Sequence, residues 1–250
     1  MGLACEGGSE VAMKVVVNPT WRCQLHCIYC WMHGLGFKPG QECSPRQWLW
    51  FLAQLPGPTT VDFSGGEPLL YEGIIDLIQR LAVRDIGWAM TSNLMNAHKV
   101  AELCDRPIRG CMGIHVSAHA GGPADLYERA VSLVRAGYPV TINVVDHPAA
   151  GAVPEGVGVD LIPYQAWTEG EAVDGIRRQC NAGQNHLVMS PDGSVYRCAV
   201  EMQLGVAPLG HISQGWENMR PREPHICEIG CSTCYTHDPR AWRVCMEAIP

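Results

Sequence analysis

Three cysteines, Cys23, Cys27 and Cys30, lie within eight residues of one another, shortly after an apolar run that ends at residue 17. Thiolates at this spacing can fold round a polynuclear metal centre and supply three ligands, which leaves a fourth coordination position open for chemistry. A structural zinc site normally completes its tetrahedron with a fourth Cys or His. The spacing alone leaves both an open iron-sulfur cluster and a zinc site as alternatives.

A second pattern, Gly65-Gly66-Glu67-Pro68, follows the strand-like run of residues 60–64. Such a turn is common by itself, because Gly tolerates positive φ and Pro ends a strand ladder. Together, in this order and separation, the two patterns resemble the radical S-adenosylmethionine (SAM) superfamily. In that family a CxxxCxYC loop follows the first strand and a GGEP motif follows the second.

The resemblance implies that Cys23, Cys27 and Cys30 hold three irons of a four-iron, four-sulfur cluster and that SAM chelates the fourth iron. The implied activity is reductive cleavage of SAM to a 5′-deoxyadenosyl radical, which takes hydrogen from a substrate C–H bond. Electrons would come from a donor of the flavodoxin or ferredoxin type. The residues that the resemblance assigns to SAM binding are Tyr29, Gly65, Gly66, Glu67, Pro68, Asn93, Ser117 and Asn143. Alternatives to SAM binding stay open for four of them. Tyr29 could simply pack in the core, and Asn93, Ser117 and Asn143 could be ordinary polar residues at strand ends.

Residues 112–118 alternate in character, with apolar side chains on one face and His115 and Ser117 on the other. We expect the polar face to look into a barrel, which makes His115 and the nearby His119 candidate substrate contacts. A histidine near a barrel rim is more often a structural residue, and that alternative stays open.

Strand patterns alternate with helical patterns along the first two thirds of the chain, which predicts a parallel α/β fold. The predicted strands are residues 13–18, 59–64, 87–93, 112–118, 141–145 and 157–164. The predicted helices are residues 44–55, 71–83, 97–104 and 125–136. Residues 148–156 are too few, and too rich in Pro, Gly and Ala, for a normal crossover helix. We therefore expect a partial (β/α)6 barrel that is trimmed near its last crossover.

The remainder of the chain is rich in cysteine and turns, and it includes a predicted hairpin of residues 186–189 and 195–198. Its spacing resembles the auxiliary-cluster appendage called a twitch domain, a shortened relative of the SPASM domain. The residues that carry this resemblance are Cys180-x12-Gly193-x4-Cys198 and Cys231-x2-Cys234. The resemblance implies a second four-iron, four-sulfur cluster on the four cysteines. Cys227 could enter the ligand set in another combination, and a structural zinc site is the alternative.

These patterns predict three parts: an N-terminal extension of residues 1–12, the partial barrel of residues 13–166, and the auxiliary-cluster domain of residues 167–250. The 250 residues are 47% apolar and can bury one sizeable core. A net charge of -7 argues against nucleic acid as a partner. The sequence contains no apolar run long enough to span a membrane. Residues 1–9 lack the basic region and apolar core of a secretory signal. The thirteen cysteines therefore fit ligands in a reducing cytoplasm better than disulfides.

An auxiliary cluster near the substrate suits an oxidation, because it can accept the electron left on a product radical. The predicted function is thus an oxidative modification, either dehydrogenation or bond formation, of a small molecule or a peptide natural product. Because few residues precede the first strand, we favour a small molecule, or a peptide whose leader a separate protein recognises. Alternatives are a peptide epimerase with a Cys hydrogen donor such as Cys227 or Cys245, and a non-catalytic iron-sulfur or zinc-binding scaffold.

Overall fold

A computed structural model gives the structure of the protein. It describes residues 13–27, 30, 41–57, 59–119, 121–145, 158–162, 178–180, 182–221, 223 and 225–227. The strands are Met13–Val17 (β1), Thr59–Phe63 (β2), Gly87–Ser92 (β3), Cys111–Ala118 (β4), Val140–Val145 (β5), Gly158–Ile162 (β6), Arg178–Cys180 (β7), His186–Met189 (β8), Ser194–Tyr196 (β9), Gly210–His211 (β10) and His225–Cys227 (β11). The α-helices are Pro45–Leu52 (α1), Ile74–Ala82 (α2), Ala97–Asp105 (α3), Leu126–Arg135 (α4), Ala199–Gln203 (α5) and Trp216–Met219 (α6).

In the part of the chain that the structure describes, nine strands form one sheet in the order β10-β9-β8-β1-β2-β3-β4-β5-β6. Each neighbouring pair from β1 to β6 is parallel. This order confirms the predicted parallel α/β fold with a partial barrel. The connection of residues 148–156, which we expect to be trimmed, lies outside the described residues.

One apolar core joins the helices to the outer face of the sheet. Val15 in β1 and Val61 in β2 have no exposed surface, nor do Leu77 and Ile78 on the buried face of α2. Burial of one such side chain stabilises the fold by about 1.5–3 kcal/mol relative to its exposure. The opposite face of the strands is more polar, and it is therefore the face available for chemistry.

Local signals set the start of α1. Ser44 is its N-cap and forms a capping box with Gln47, and Pro45 occupies the first helical position. The helix ends at Leu52, three residues earlier than predicted, and Ala53 caps it with N–H contacts to the last carbonyls. Helix boundaries are commonly displaced by such fraying of the last turn.

The C-terminal hairpin joins the same sheet. β8 and β9 pair antiparallel as predicted, but β8 also lies beside β1 and pairs with it in parallel, with Lys14 opposite His186. The second strand of the hairpin ends at Tyr196, and Cys198 instead caps α5. β7 and β11 form a separate two-stranded antiparallel ribbon.

None of the helices among the described residues has the length and apolar character that crossing a bilayer requires.

His186 makes stability depend on pH. Burial lowers its pKa to about 4, and the positive charge of Lys14 adds to the shift. Its pKa in the unfolded chain is about 6.5. Between about pH 6.5 and about pH 4, His186 is therefore protonated in the unfolded state but not in the folded state. The free energy of unfolding should fall as pH decreases through this range.

Urea unfolding of the anaerobic protein at several pH values checks this expectation. His186→Gln should reduce the pH slope, whereas His98→Gln, at an exposed position of α3, should leave it unchanged. Equal slopes in wild type and His186→Gln would contradict the assignment.

Candidate functional site

The cysteine triplet lies on the loop that follows β1, at the carboxyl edge of the sheet, where α/β folds place their ligands. Cys23, Cys27 and Cys30 form no disulfide, and each has intermediate exposure. The Leu25 N–H lies 3.4 Å from Cys23 Sγ and donates to it. Burial raises the pKa of the Cys23 thiol, and the charges of Glu67 and Cys30 raise it further. Proton release from this thiol therefore has to accompany metal binding.

The turn after β2 is packed directly against this loop. Gly66 N–H donates to Thr20 O at 3.0 Å, and Glu67 N–H donates to Arg22 O at 2.8 Å. A Cβ on Gly66 would lie 2.3 Å from Arg22 O, and one on Gly65, at φ +105°, would lie 2.8 Å from Thr20 O. The two glycines are therefore required by the close approach of two backbones.

Glu67 ties this turn to the end of β3. Its side chain is 1% exposed, and one carboxylate oxygen accepts from Leu69 N–H at 2.9 Å and from Ser92 Oγ at 2.8 Å. The other oxygen accepts from Asn93 N–H at 2.8 Å. Burial raises the pKa of Glu67, while these three hydrogen bonds oppose the shift. The fourth residue of the motif, Pro68, begins a 3-10 turn that Glu67 caps.

Arg22 and Glu42 brace the outer side of the loop. Arg22 Nε and Nη2 each lie 3.0 Å from a different oxygen of Glu42, and Nη2 also donates to Leu70 O at 2.9 Å. The Thr20 hydroxyl donates to the same carboxylate at 2.5 Å. Because Arg22 is 41% exposed, we expect the charge itself to add little, and the bidentate geometry mainly to orient the loop.

The structure brings several of the predicted residues to one face of the sheet. His115 in β4 is in register with Thr141 in β5, and Ser117 is in register with Asn143. All four side chains are half-buried. His119 lies just past β4, and burial lowers its pKa. Partners in parallel register present their side chains to the same side, so these residues line the polar face together.

Sequence reasoning missed Asp62 on the same face. Burial raises its pKa, and the nearby charges of His115 and Lys14 oppose that shift. Its Oδ1 is buried and accepts no hydrogen bond from the described residues. The alternation of Thr60, Asp62 and Ser64 with buried apolar residues along β2 is the signal that could have identified it.

Two cysteines of the second pattern, Cys180 and Cys198, each accept a backbone hydrogen bond through sulfur. Ala182 N–H donates to Cys180 Sγ at 3.4 Å, and Glu201 N–H donates to Cys198 Sγ at 3.4 Å. Burial raises the pKa of Cys198 to about 11, and the charge of Cys180 contributes a small further increase. Amide donors of this kind are typical of thiolates that bind iron-sulfur clusters.

Cys227 lies on β11, whose pairing with β7 sets His225 opposite Cys180 and Cys227 opposite Arg178. Cys180 and Cys227 are therefore diagonal neighbours on one face of the ribbon. Gly193 makes the tight turn before β9 at φ +90°, and a Cβ there would lie 2.9 Å from Cys43 Sγ. Three predicted site residues, Tyr29, Cys231 and Cys234, lie outside the described residues.

The sequence model of the radical SAM superfamily matches residues 17–157, which contain the cysteine loop, the Gly65–Gly66 turn and strands β2 to β5. The chain belongs to the radical SAM superfamily. Membership implies a four-iron, four-sulfur cluster and SAM. The residues at the site fit this requirement, because three cysteines outside any disulfide share one loop and the side-chain nitrogen of the buried Asn93, Nδ2, lies 3.8 Å from one of the sulfurs.

Known proteins agree with this membership. GTP 3′,8-cyclase of Pseudomonas putida (strain W619) is 32% identical over 93 residues, which are 34% of this chain and 27% of that protein. Streptococcus suis SuiB, solved with its precursor peptide SuiA, superposes with a TM-score of 0.63 at 13% identity, over 85% of this chain and 65% of SuiB. Native anSMEcpe with bound AdoMet superposes with a TM-score of 0.56 at 13% identity, over 94% of this chain and 96% of that protein.

At such identities the two solved structures establish the fold alone. The chain also spans less than two thirds of SuiB and a smaller part of the cyclase. The reaction and the substrate of this radical SAM protein therefore have to be argued from its own residues.

Gly66→Ala tests the contact between the two backbones. The new Cβ would overlap Arg22 O, so the loop must move, at a cost of about 1–3 kcal/mol. We expect less iron per chain after anaerobic reconstitution and a lower urea midpoint. Gly87→Ala is the matched control, because the nearest neighbour of its Cβ would be the flexible Met112 side chain at 3.3 Å, with Thr60 Oγ1 at 3.7 Å. Full iron content in Gly66→Ala would contradict the packing argument.

Glu67→Gln tests the buried carboxylate. Either orientation of the new amide would point its NH2 group at a backbone N–H, of Leu69 or of Asn93, and leave that donor without an acceptor. We expect a loss of about 1–3 kcal/mol in the free energy of unfolding, measured with urea on the anaerobic apoprotein. Glu72→Gln, at an exposed neighbouring position, is the control and should change little. Equal stabilities of the two variants would refute this role of Glu67.

Proposed function

We propose that Cys23, Cys27 and Cys30 hold the cluster that binds SAM, and that the protein carries out an oxidative modification of a small molecule or a peptide natural product. The observation that carries this proposal is the cysteine loop itself, which two backbone hydrogen bonds fasten to the Gly65–Gly66 turn at the carboxyl edge of the sheet. Three thiolates from one loop leave the fourth iron open to a ligand.

When bound, the cluster and SAM supply a 5′-deoxyadenosyl radical that removes hydrogen from a C–H bond. The chain's own part is binding, orientation and control of the electrostatic environment. The loop positions the thiols, and the turn keeps side chains away from the loop. The proposed SAM contacts are those expected from the sequence: Tyr29, Gly65, Gly66, Glu67, Pro68, Asn93, Ser117 and Asn143.

The substrate is proposed to bind along the polar face below this edge. The sequence predicts His115 and His119 as contacts to the substrate. We add Asp62 as a third candidate contact, on the basis of the structure. Asp62 supports this idea because the charge of His115 acts on it, while Asp62 Oδ1 accepts no hydrogen bond within the described part of the chain. Such an acceptor suits a hydrogen-bond donor of the substrate.

A second four-iron, four-sulfur cluster on Cys180, Cys198, Cys231 and Cys234 is part of the proposal, with Cys227 as an alternative ligand. The amide donors at both sulfurs and the effect of the Cys180 charge on Cys198 support it. A cluster there would accept the electron released when the substrate is oxidised. A low-potential flavodoxin or ferredoxin is the proposed electron donor, and the cytoplasm the proposed compartment.

Both substrate classes stay within the proposal. Structures similar to this chain include SuiB with its precursor peptide and anSMEcpe with a bound peptide, which favours a peptide. BtrN also resembles the chain, with a TM-score of 0.50. A second candidate function, peptide epimerisation with Cys227 as hydrogen donor, is favoured by the free thiol and intermediate exposure of Cys227.

Anaerobic reconstitution with iron and sulfide, followed by dithionite and SAM, tests the proposal. We expect about eight irons per chain for two four-iron clusters and formation of 5′-deoxyadenosine. Cys23→Ala should lose about four irons and all SAM cleavage, whereas Cys180→Ala should lose about four irons but keep the SAM-dependent spectral change of the first cluster. Cys104→Ala, on α3, is the control for removal of a thiol. Bound zinc without SAM cleavage would instead support a scaffold protein.

A further inference from the structure

Asn93 is buried between the end of β3 and the cysteine loop, with 5% of its surface exposed. Its backbone N–H is already used by Glu67, at 2.8 Å. Both ends of its side-chain amide have partners as well. Oδ1 accepts from Met95 N–H at 2.9 Å, and Nδ2 lies 3.8 Å from Cys23 Sγ. Asn93 is thus placed between a turn of the protein and a thiol of the cysteine triplet.

The contact to Met95 decides which way the amide points. A backbone N–H can only donate, so the end of the amide that faces Met95 must be the oxygen. The NH2 group then has to face Cys23 Sγ. The orientation toward sulfur therefore follows from hydrogen bonding elsewhere and needs no metal to define it.

The turn that holds Asn93 has a strained backbone. Leu94, a buried non-glycine residue, has φ +53°, in the left-handed region. Ser92 Oγ accepts from Leu94 N–H at 3.0 Å. Arg129 on α4 donates from Nη1 to Leu94 O at 2.7 Å and to Met95 O at 3.2 Å. Strain of this kind persists where surrounding contacts impose it, and it is common at functional sites.

Arg129 is itself oriented by its own helix. Its Nη2 lies 2.9 Å from Oδ1 of Asp125, the N-cap residue of α4. The guanidinium group therefore contacts Asp125 through one nitrogen and the turn after β3 through the other. A chain of contacts runs from α4 through the carbonyls of Leu94 and Met95 to the Asn93 amide.

We propose that Asn93 donates a hydrogen bond to the Cys23 sulfur that raises the reduction potential of the cluster, and that Arg129 is the positioning residue for this donor. The inference rests on the proposed cluster site at Cys23, Cys27 and Cys30. It gives Asn93 a role toward the thiolate, in addition to the SAM contact expected from the sequence. Hydrogen bonds to sulfur are among the factors that set cluster potentials.

The direction of the effect follows from charge. Reduction adds an electron to the cluster and increases the negative charge on its thiolates, so an N–H donor stabilises the reduced state more than the oxidised state. The buried carboxylate of Glu67 acts on Cys23 in the opposite sense. A net hydrogen-bond contribution of about 1 kcal/mol changes the reduction equilibrium about fivefold, which corresponds to about 40 mV for one electron.

Asn93→Asp is the sharpest variant, because its carboxylate can still accept from Met95 N–H but has no donor for the sulfur. The full-length protein is reconstituted anaerobically, and the midpoint potential is measured by redox titration with EPR detection. The signal that changes on addition of SAM identifies the cluster of interest. We expect a potential at least 40 mV lower than wild type, with a smaller decrease in Asn93→Ala. Asn96→Ala, which removes a contact to Leu69 O but none to sulfur, should leave the potential unchanged.

Arg129→Met provides an independent measurement if changes at Asn93 prevent folding. This variant leaves the cysteine loop intact but removes the contacts that hold the turn after β3, so we expect a lower potential and a broader EPR signal. Arg80→Met, on the surface of α2, is the control and should have neither effect.

Failure of the inference and failure of the proposed function give different results. If wild type binds a cluster that responds to SAM but Asn93→Asp and Arg129→Met leave its potential unchanged, the inference is overturned and the proposed function stands. If wild type assembles no cluster that responds to SAM, both are overturned.

Discussion

A contact between two stretches of backbone sets the geometry of the site. The loop that carries the cysteines and the turn that contains Gly65 and Gly66 approach so closely that any side chain on Gly66 would overlap Arg22 O. The parallel pairing of β1 with β2, which brings Val17 opposite Phe63, delivers both segments to the same edge of the sheet. The hydrogen bonds there join main-chain groups and fix the loop to the sheet, and the side-chain pair of Arg22 and Glu42 adds to its orientation.

A buried carboxylate extends this arrangement to the third strand. Glu67 loses its hydration on burial, and it is stable there because three donors from the adjoining backbone and Ser92 replace the lost water. The same contacts bring Asn93 to the sulfur of Cys23. Residues that the sequence separates by 70 positions thus share one network, in which each group limits the positions of the others.

The C-terminal part of the chain is anchored through the same sheet. β8 adds to the free edge of β1, and the turn before β9 packs on the segment that precedes α1, where Cys43 N–H donates to Pro191 O at 2.8 Å. Gly193 is needed at this turn because Cys43 and His211 occupy the space that a Cβ would take. The β8–β9 hairpin, which directly precedes Cys198, is therefore connected to the barrel by strand pairing as well as by the chain itself.

The sequence by itself determined the local features. Ser44 and Pro45 predict a helix start, and the alternation around His115 predicts which residues share a face. The cysteine spacing together with the GGEP motif identifies the superfamily. Each of these signals can be found in the sequence because it depends on residues near one another in the chain. The tertiary structure alone decided that β8 lies beside β1, that Asp62 shares the polar face with His115, and that the amide of Asn93 points to Cys23. These relations depend on strand order and on the pairing of donors with acceptors across the fold. Neither produces a periodic pattern in the sequence from which it could be predicted.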